Sequence, residues 1–359
     1  MRAASSKRTL LVADYSLPSA TVVTGAAGWL GRALVHHLST DSGAYKRYGV
    51  LRALVLNEQE AQAVRDVSAN AETVIGSVTD PRSLERLLDG LPADTDVIHT
   101  AGVIHPGKVS DFFDVNTTGA ANMAHAVHRA GLRRMVHVSS NSPFGTNPSE
   151  HDTFRAHEPY NPYLGYGKSK MQGELAVLAQ VEQGLDAVIV RPPWFYGPLQ
   201  PPRQTTFFRM VRGGKFPKFG AGNQRRSMVF VDNLVQGIVR AELTPNTSGR
   251  GYWIADARPY TVNEIIETVG RALKDEGYEV KPGAMKLPVF AGRIAERADR
   301  LIQGTGRYQQ QLHVMGEMAH SIACDIEAAR EELGYDPQFE LYDGMRRSIQ
   351  WCRAEGLEL

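Results

Sequence analysis

The chain reads Ala20-Thr21-Val22-Val23-Thr24-Gly25-Ala26-Ala27-Gly28-Trp29-Leu30-Gly31 near its start, and no other stretch says more about its architecture. The apolar residues at the beginning predict a β-strand, and leucines at 30, 34 and 38 predict a helix after it. The glycines at 25, 28 and 31 depart from the commoner Gly-x-Gly-x-x-Gly pattern, but their place between strand and helix is the expected one. Glycine lets the backbone approach a phosphate, and a helix N-terminus supplies free N–H groups. The stretch therefore predicts a pyrophosphate-binding turn, with a simple packing turn as the alternative.

Apolar runs continue to alternate with helical patterns as far as about residue 190. The further strand candidates are Val50–Leu56, Glu72–Ile75, Asp96–Thr100, Arg133–Val138 and Ala187–Val190. Strands that alternate with helices imply right-handed crossovers and a parallel sheet covered on both faces. The predicted fold class is α/β, a doubly wound parallel sheet of the Rossmann type, which binds its ligand at the carboxyl ends of the strands.

The pattern changes after Arg191, where prolines and glycines become frequent. Ser227–Val231 and Tyr252–Ile254 are two further strand candidates, and they could return to the sheet edge. Residues 257–359 are mainly helical in pattern, with Leu287–Ile302 the clearest amphipathic segment. We therefore predict an N-terminal extension at 1–19 and a dinucleotide-binding domain at 20–190 plus about 227–256. The predicted substrate-binding region, which is smaller and mainly helical, comprises about 191–226 and 257–359.

Composition narrows the class of protein. Forty basic and thirty-nine acidic residues give a net charge of +1, which provides no electrostatic case for nucleic acid or an anionic membrane as a partner. The two cysteines, Cys324 and Cys352, suggest a reducing compartment, and no histidine–carboxylate cluster suggests a metal. The apolar run Thr9–Ala13 ends at Asp14 and is too short for a signal sequence or a membrane span. We expect a cytoplasmic protein that acts on a small molecule.

A second segment, Tyr166-Gly167-Lys168-Ser169-Lys170, carries candidate catalytic groups. Residues four apart share one face of a helix, so Lys170 can lie near the phenol of Tyr166. A nearby cation lowers the pKa of a phenol, which can then exchange a proton with an alcohol or a carbonyl. Ser139 and Ser140 follow a predicted strand, where a hydroxyl can hold the reacting oxygen.

These and several other motifs are shared with one superfamily. They are Val97-Ile98-His99-Thr100-Ala101-Gly102, Val115-Asn116-Thr117-Thr118-Gly119, Val138-Ser139-Ser140, Arg191-Pro192-Pro193, Phe195-Tyr196-Gly197-Pro198, Val229-Phe230-Val231-Asp232 and Leu333-Gly334-Tyr335-Asp336-Pro337. From about residue 20 to 350, the chain resembles the extended short-chain dehydrogenases/reductases, which include nucleotide-sugar epimerases and 3β-hydroxysteroid dehydrogenases.

The resemblance implies a role for each matching residue. Tyr166 would be the general acid/base, Lys170 would bind the nicotinamide ribose and tune Tyr166, and Ser140 would polarise the substrate oxygen. Asn116 would support the lysine through water. The residues expected to bind the cofactor are Gly25, Ala27, Gly28, Trp29, Leu30, Gly31, Asn57, Ser77, Val78, Thr100, Ala101, Gly102, Tyr166, Lys170 and Pro193. Those expected to bind the substrate are Ser140, Ser142, Tyr166, Trp194 and Arg226.

The sequence departs from the family pattern in two places, one a single residue and the other a stretch of three. Ser77 stands where relatives often have an aspartate that contacts adenine, and Ser140-Asn141-Ser142 replaces the Thr-Asp-Glu of the dehydratases, so dehydration is disfavoured. The second strand ends without a charged residue at Leu56 or Asn57, and Glu58 lies further along. The expected cofactor is therefore NAD or NADP, with the preference open.

The substrate features point in two directions. Arg226 aligns with an arginine that holds the diphosphate of nucleotide sugars, although a solvated basic loop would look the same. The Leu287–Ile302 segment resembles a substrate-covering helix of the sterol branch, or an ordinary core helix. We expect a dehydrogenase or reductase acting on a ring-bearing alcohol or ketone. The alternatives are an epimerase that retains its NAD and, more remotely, a nucleotide-sensing regulator.

Other residues allow further expectations. His99 and His137 are interpreted as satisfied core histidines. Trp194, Phe195 and Tyr196 could line a substrate pocket or pack against the sheet. By resemblance, helices at about 111–130 and 166–183 would form a homodimer.

Overall fold

The computed structural model describes residues 16–359, so most of the predicted N-terminal extension, including Thr9–Ala13 and Asp14, lies outside the described residues. Thirteen strands run through this part of the chain. They are β1 Ala20–Thr24, β2 Val50–Val55, β3 Glu72–Ile75, β4 Asp96–His99, β5 Arg134–Val138, β6 Ala187–Arg191, β7 Trp194–Tyr196, β8 Pro217–Phe219, β9 Arg225–Arg226, β10 Met228–Phe230, β11 Gly251–Trp253, β12 Tyr260–Thr261 and β13 Met285–Leu287.

Helices connect and cover these strands. They are α1 Trp29–Ser39, α2 Glu58–Val67, α3 Pro81–Leu88, α4 Val109–Phe112, α5 Ala120–Arg129, α6 Leu164–Val181, α7 Thr205–Arg212, α8 Val231–Leu243, α9 Val262–Asp275, α10 Val289–Gly304, α11 Gln310–Met318, α12 Glu327–Leu333 and α13 Leu341–Ala354. A π-helical turn, Phe113–Gly119, joins α4 to α5. Short 3₁₀ turns occur at Ser142–Phe144 and Pro202–Gln204.

The main sheet has seven parallel strands in the order β11-β6-β5-β4-β1-β2-β3, which confirms the predicted doubly wound α/β fold. β1 lies between β2 and β4, with Val23 opposite Ala53 on one side and Ile98 on the other. Every residue of β1, β4, β5 and β6 is buried, because helices cover both faces of the sheet. The strand order reverses at β1, and the carboxyl ends of β1 and β4 therefore border the crevice where such sheets bind ligands.

The two later strand candidates have different fates. Tyr252–Ile254 corresponds to β11, which joins the sheet edge beside β6 as expected. Ser227–Val231 corresponds to β10, but this strand pairs with β7 in a separate two-stranded sheet, so its expected return to the main sheet is wrong. β7 and β10 pack beside a second apolar core that includes Ile265 and Met345. Pairing with the nearer β7 lets β10 bury Met228 and Phe230 in that core.

The predicted amphipathic segment forms α10, which follows β13. No helix among residues 16–359 combines the length and the apolar character needed to cross a bilayer.

Candidate active site

The turn between β1 and α1 needs glycine at two positions. Gly25 has a φ of +65°, and a Cβ there would lie 2.8 Å from the backbone of Ala101. A Cβ on Gly31 would lie only 2.1 Å from the carbonyl oxygen of Gly25. Because α1 and the chain after β4 lie directly against the turn, neither position can accept a side chain unless the backbone moves.

The N-terminus of α1 is free to bind an anion. Gly28 is the N-cap and provides no side-chain hydrogen bond, and the first turn contains no acidic residue. The amide of Gly28 donates to the carbonyl of Gly25 at 3.0 Å, which shapes the turn. Uncapped amides and the positive end of the helix dipole fit a pyrophosphate.

The other predicted residues of this turn differ in their surroundings. Trp29 packs on Phe195 with ring centroids 4.5 Å apart, and its indole N–H donates to the carbonyl of Pro198 at 2.7 Å. Ala27 is partly buried, whereas Leu30 lies in the main core. Pro193, which follows β6, is buried. Trp29 thus ties the turn to the segment that carries the predicted pocket aromatics.

The ends of β2 and β3 offer mostly short polar groups. The side chain of Asn57 caps α2 by accepting the amide of Glu60 at 2.9 Å, and Glu58 pairs with Arg65. Ser77 accepts the amide of Thr79 at 3.2 Å. The carbonyl of Val78 accepts from the side chain of Asn122 at 3.1 Å. None of these contacts favours NAD over NADP.

The end of β4 is tied to the end of β1. The hydroxyl of Thr100 donates to the carbonyl of Thr24 at 2.7 Å, and the amide of Ala101 donates to the Thr24 hydroxyl at 3.3 Å. A Cβ on Gly102 would lie 3.1 Å from Oδ1 of Asn116. The two strand ends therefore form one side of the crevice.

Asn116 lies in the π-helical turn and is buried. Its Oδ1 accepts the amide of Val103 at 2.9 Å, and its Nδ2 donates to the Val103 carbonyl at 3.0 Å and to the hydroxyl of Ser169 at 3.1 Å. π-Helical turns often occur at functional sites. The asparagine thus joins the chain after β4 to α6, which carries the predicted tyrosine and lysine.

Tyr166 lies in the first turn of α6, and Ser140 lies after β5. Burial raises the pKa of Tyr166 to about 12, the hydrogen bond with Ser140 acts in the opposite direction, and the carboxylate of Glu317 adds to the rise. The hydroxyls of Ser140 and Ser142 are 3.3 Å apart. The phenol is therefore protonated at neutral pH, and its pKa is raised rather than lowered as the spacing of Tyr166 and Lys170 predicts.

Lys170 lies one helical turn after Tyr166 and is only 4% exposed. Its Nζ donates to the carbonyl of Val138 at 2.8 Å. Burial lowers its pKa to about 8, and the carboxylate of Glu174 acts in the opposite direction. The ammonium is thus present at neutral pH but is poorly solvated.

The structure corrects one interpretation of the two strand histidines. His99 and His137 are buried and stacked, with ring centroids 5.4 Å apart, as core residues would be. Nδ1 of His99 is 2.8 Å from the hydroxyl of Thr24, but within residues 16–359 its Nε2 and both ring nitrogens of His137 have no partner. The two histidines are therefore not fully hydrogen-bonded, and the interpretation as satisfied core residues is wrong on this point. Burial and the charge of Lys170 lower both pKa values, that of His99 to about 3.

Several groups near Tyr166 come from the C-terminal region and carried no motif in the sequence. One is Tyr308, whose ring lies 5.1 Å from that of Phe112 in α4. The ring of Phe112 in turn lies 5.6 Å from that of Tyr166. Glu317 of α11 raises the pKa of Tyr166, as described above. The side chain of Gln303 accepts the amide of Gly165 at 3.0 Å and anchors α10 to the start of α6.

The two outer substrate candidates do not share one environment. Trp194 is 38% exposed and packs edge-on against Phe207 at 5.0 Å. Nη2 of Arg226 donates to the backbone carbonyl of Glu317 at 2.5 Å, so this nitrogen is hydrogen-bonded to the end of α11.

Beside Glu317 lies a cavity of about 150 Å³. Its lining comprises Thr146, Tyr163, Glu296, Arg300, Gly316, Glu317 and His320. Within the described part of the chain, no group of three or more side chains could hold a metal ion.

Comparison with known proteins gives the family. The model of the NAD dependent epimerase/dehydratase family matches residues 21–255. The chain is 44% identical over 342 residues to the uncharacterized protein y4nL of Sinorhizobium fredii (strain NBRC 101917 / NGR234), covering 93% of this chain and 95% of the relative. It is 24% identical to a UDP-glucose 4-epimerase of Vibrio cholerae, with coverage of 94% and 96%.

A ketoreductase and a solved structure extend this comparison. The chain is 27% identical to the 4-hydroxy-2-methyl-3-oxo-4-farnesyl-3,4-dihydroquinoline-1-oxide ketoreductase of Stigmatella aurantiaca, covering 88% of this chain and 91% of the relative. A crystal structure of a dTDP-glucose 4,6-dehydratase double mutant from Streptomyces venezuelae has the same fold, with a TM-score of 0.72, 24% identity and coverage of 94% and 99%. The predicted resemblance is confirmed, and the chain belongs to the NAD-dependent epimerase/dehydratase family of extended short-chain dehydrogenases/reductases.

Proposed function

We propose that this protein transfers a hydride between a nicotinamide cofactor and the carbon of a secondary alcohol or ketone on a ring. The observation that carries the proposal is that Ser140 lies near enough to Tyr166 to lower its pKa, with Lys170 one helical turn away and the glycine turn at the same edge of the sheet. Bound NAD or NADP would supply or accept the hydride. Everything else in the reaction is proton transfer and orientation by the chain itself.

Three residues have separate roles in this scheme. The hydroxyl of Ser140 donates a hydrogen bond to the substrate oxygen and holds it beside Tyr166. Since the pKa of Tyr166 is raised to about 12, its phenol carries a proton at neutral pH, and it can donate this proton to a carbonyl oxygen. In the oxidation direction, the ammonium of Lys170 stabilises the phenolate that takes the alcohol proton.

The glycine turn supports a dinucleotide as the cofactor. The side-chain-free surface at Gly25 and Gly31 and the uncapped N-terminus of α1 fit a pyrophosphate. On this proposal Asn116 positions the lysine's helix through Ser169. We also propose that α5 and α6 form the contact of a homodimer in the cytoplasm, and that the predicted domain division separates cofactor binding from substrate binding.

Tyr166→Phe tests the proposal directly. The variant should bind NADH or NADPH like the wild type, because the phenol hydroxyl is not part of the glycine turn that fits the pyrophosphate, while turnover falls by about 100-fold or more. Coenzyme binding is measured by fluorescence, and turnover is measured with a panel of ring ketones. Lys168→Met, a change at an exposed position on the same helix, is the control. Unchanged turnover in Tyr166→Phe would remove the tyrosine from the mechanism.

Epimerisation with retained NAD is the second candidate, supported by the family and by the similarity to a UDP-glucose 4-epimerase. A diphosphate-bearing substrate would need cationic groups, and the engagement of Arg226 with the end of α11 counts against it. Uridine and thymidine diphosphates, titrated calorimetrically, distinguish the two. Tight binding that is lost in Arg226→Ala, together with co-purifying NAD and no net NADH formation, would favour the epimerase.

A further inference from the structure

The apolar side chains on the solvent side of α10 are unusual for a helix at a protein surface. Six of the fourteen large apolar residues that are substantially exposed in the described part of the chain lie between 285 and 314. They are Met285, Val289, Phe290, Ile294, Leu301 and Val314. Leu301 is 74% exposed and Phe290 63%. Single exposed apolar residues are common, but a contiguous group marks a contact surface.

The helical geometry shows that the group is one face. Residues 290, 294 and 301 are spaced by four and seven, which places them on the same side of a helix. The opposite side, which carries Gly292, Ala295 and Asp299, is buried. A helix that packs by its hydrophobic side would have the reverse arrangement. We call the exposed side, formed by Val289, Phe290, Ile294 and Leu301, the outer face of α10.

Positive charges border the outer face. Arg293, Arg297 and Arg300 are exposed on α10, and Lys286 is exposed in β13 just before it. Within residues 16–359, Arg293 and Arg297 form no ion pair. The two acidic residues of α10 point elsewhere, since Glu296 pairs with His320 and Asp299 is buried against His313. The exposed side of this helix therefore combines apolar groups with cations alone.

We propose that the outer face of α10 docks on the surface of an anionic lipid bilayer. Helices of this kind lie in the plane of the interface, with large apolar side chains among the acyl chains and cations near the phosphates. The net charge of the whole chain is only +1, so the attraction would be local to this face. Docking goes beyond the proposed function and does not rest on it.

The packing of α10 connects this surface to the site. Gln303 contacts the backbone of Gly165 next to Tyr166, and Asp299 holds His313 at 2.9 Å. The ring of His313 packs on Tyr163 at 5.1 Å. The helix that faces the bilayer thus also forms part of the wall around the candidate active site.

Vesicle flotation with the full chain tests the proposal. The wild type should float with phosphatidylcholine vesicles containing about 30% phosphatidylglycerol, should bind pure phosphatidylcholine at least about tenfold more weakly, and should be released by salt. Phe290→Ser, Ile294→Ser and Leu301→Ser combined should weaken binding by at least about tenfold. Arg293→Gln with Arg297→Gln should remove most of the preference for the anionic lipid.

The control is Tyr48→Ser with Val50→Ser, two exposed apolar positions in the other half of the molecule, which should leave flotation unchanged. A wild type that does not float, or that binds both vesicles equally, overturns docking, as does a triple variant that binds like the wild type. Light scattering tests a second copy as the occupant. A lower mass for the triple variant, without vesicle binding by the wild type, assigns the face to self-association and overturns the lipid proposal.

NADH binding by the same samples, followed by fluorescence, separates the two proposals. A wild type that binds NADH but does not float rejects docking alone, whereas a wild type that floats but binds no coenzyme rejects the proposed function alone. Thermal unfolding followed by circular dichroism shows that each variant is folded.

Discussion

Replacing Lys170 with methionine should make the protein more stable at neutral pH while removing its activity. The side chain is 4% exposed, and burial lowers the pKa from the ordinary 10.5 to about 8. At about 1.4 kcal/mol per pH unit, this difference corresponds to about 3 kcal/mol that the folded state loses by holding the ammonium. Methionine has a similar length and no charge, so it removes that cost.

The hydrogen bond from Nζ to the carbonyl of Val138 is also lost, which costs about 1 kcal/mol. The net gain in unfolding free energy at pH 7 is therefore about 2 kcal/mol. Because the folded pKa lies below the unfolded one, the unfolded wild type holds more protons between about pH 8 and pH 10.5, and wild-type stability rises with pH across that window. The advantage of methionine should shrink to about zero near pH 9.5.

Urea denaturation at pH 7 and pH 9.5 measures both values. Lys168→Met is the matched control, since Lys168 is exposed two residues earlier on α6, and it should change stability by less than about 0.5 kcal/mol at either pH. A Lys170→Met variant that is less stable than the wild type at pH 7, or whose difference does not change with pH, would refute the burial argument.

Two further substitutions test the glycine turn and the contact between α10 and α11, which Asp299 and His313 form. Gly31→Ala should lower the unfolding free energy by about 2–3 kcal/mol and weaken coenzyme binding, because its Cβ would lie 2.1 Å from the carbonyl oxygen of Gly25. Gly107→Ala is the control and should leave stability unchanged, since nothing lies within 4 Å of a Cβ at that position. Equal changes in the thermal unfolding temperature for the two variants would contradict the prediction. Asp299→Asn should lower the unfolding free energy more at pH 5.5 than at pH 8.5. Burial acts to lower the pKa of His313, but the hydrogen bond that the ring donates to Asp299 and the charges of Glu317 and Asp299 outweigh burial and raise the pKa. The stabilisation from this pair is complete below the unfolded pKa and disappears as pH rises through the folded pKa. The same loss at both pH values in urea titrations would show that His313 is not the charged partner.

Much of the fold follows from short-range patterns. The alternation of apolar runs and helical segments predicted six strands of the main sheet, and each is present within one or two residues of its expected bounds. The strand at 228–230 was also predicted, but its partner was not. Strand formation depends on nearby side chains, whereas the choice of partner depends on which apolar surface is left to bury after the sheet has formed.

The candidate site likewise combines local features, which the sequence predicts, with contacts between distant residues, which it does not. The spacing of Tyr166 and Lys170 and the glycines of the turn are local features, and their prediction needed only the geometry of one helix and one turn. The contact of Arg226 with Glu317 joins residues 91 apart, and that of Gly165 with Gln303 joins residues 138 apart. No periodicity within a window of one helix can indicate such pairs.

The sequence by itself therefore determined the strand–turn–helix at residues 20–31, the order of motifs and the shared helical face of Tyr166 and Lys170, because each depends on backbone geometry over a few residues. Only the tertiary structure decided that Lys170 is buried, that Glu317 lies near the phenol and that α10 turns its apolar side outward. Burial and electric fields arise from groups brought together across the whole chain, and pKa values and exposed surfaces follow from them rather than from residue order.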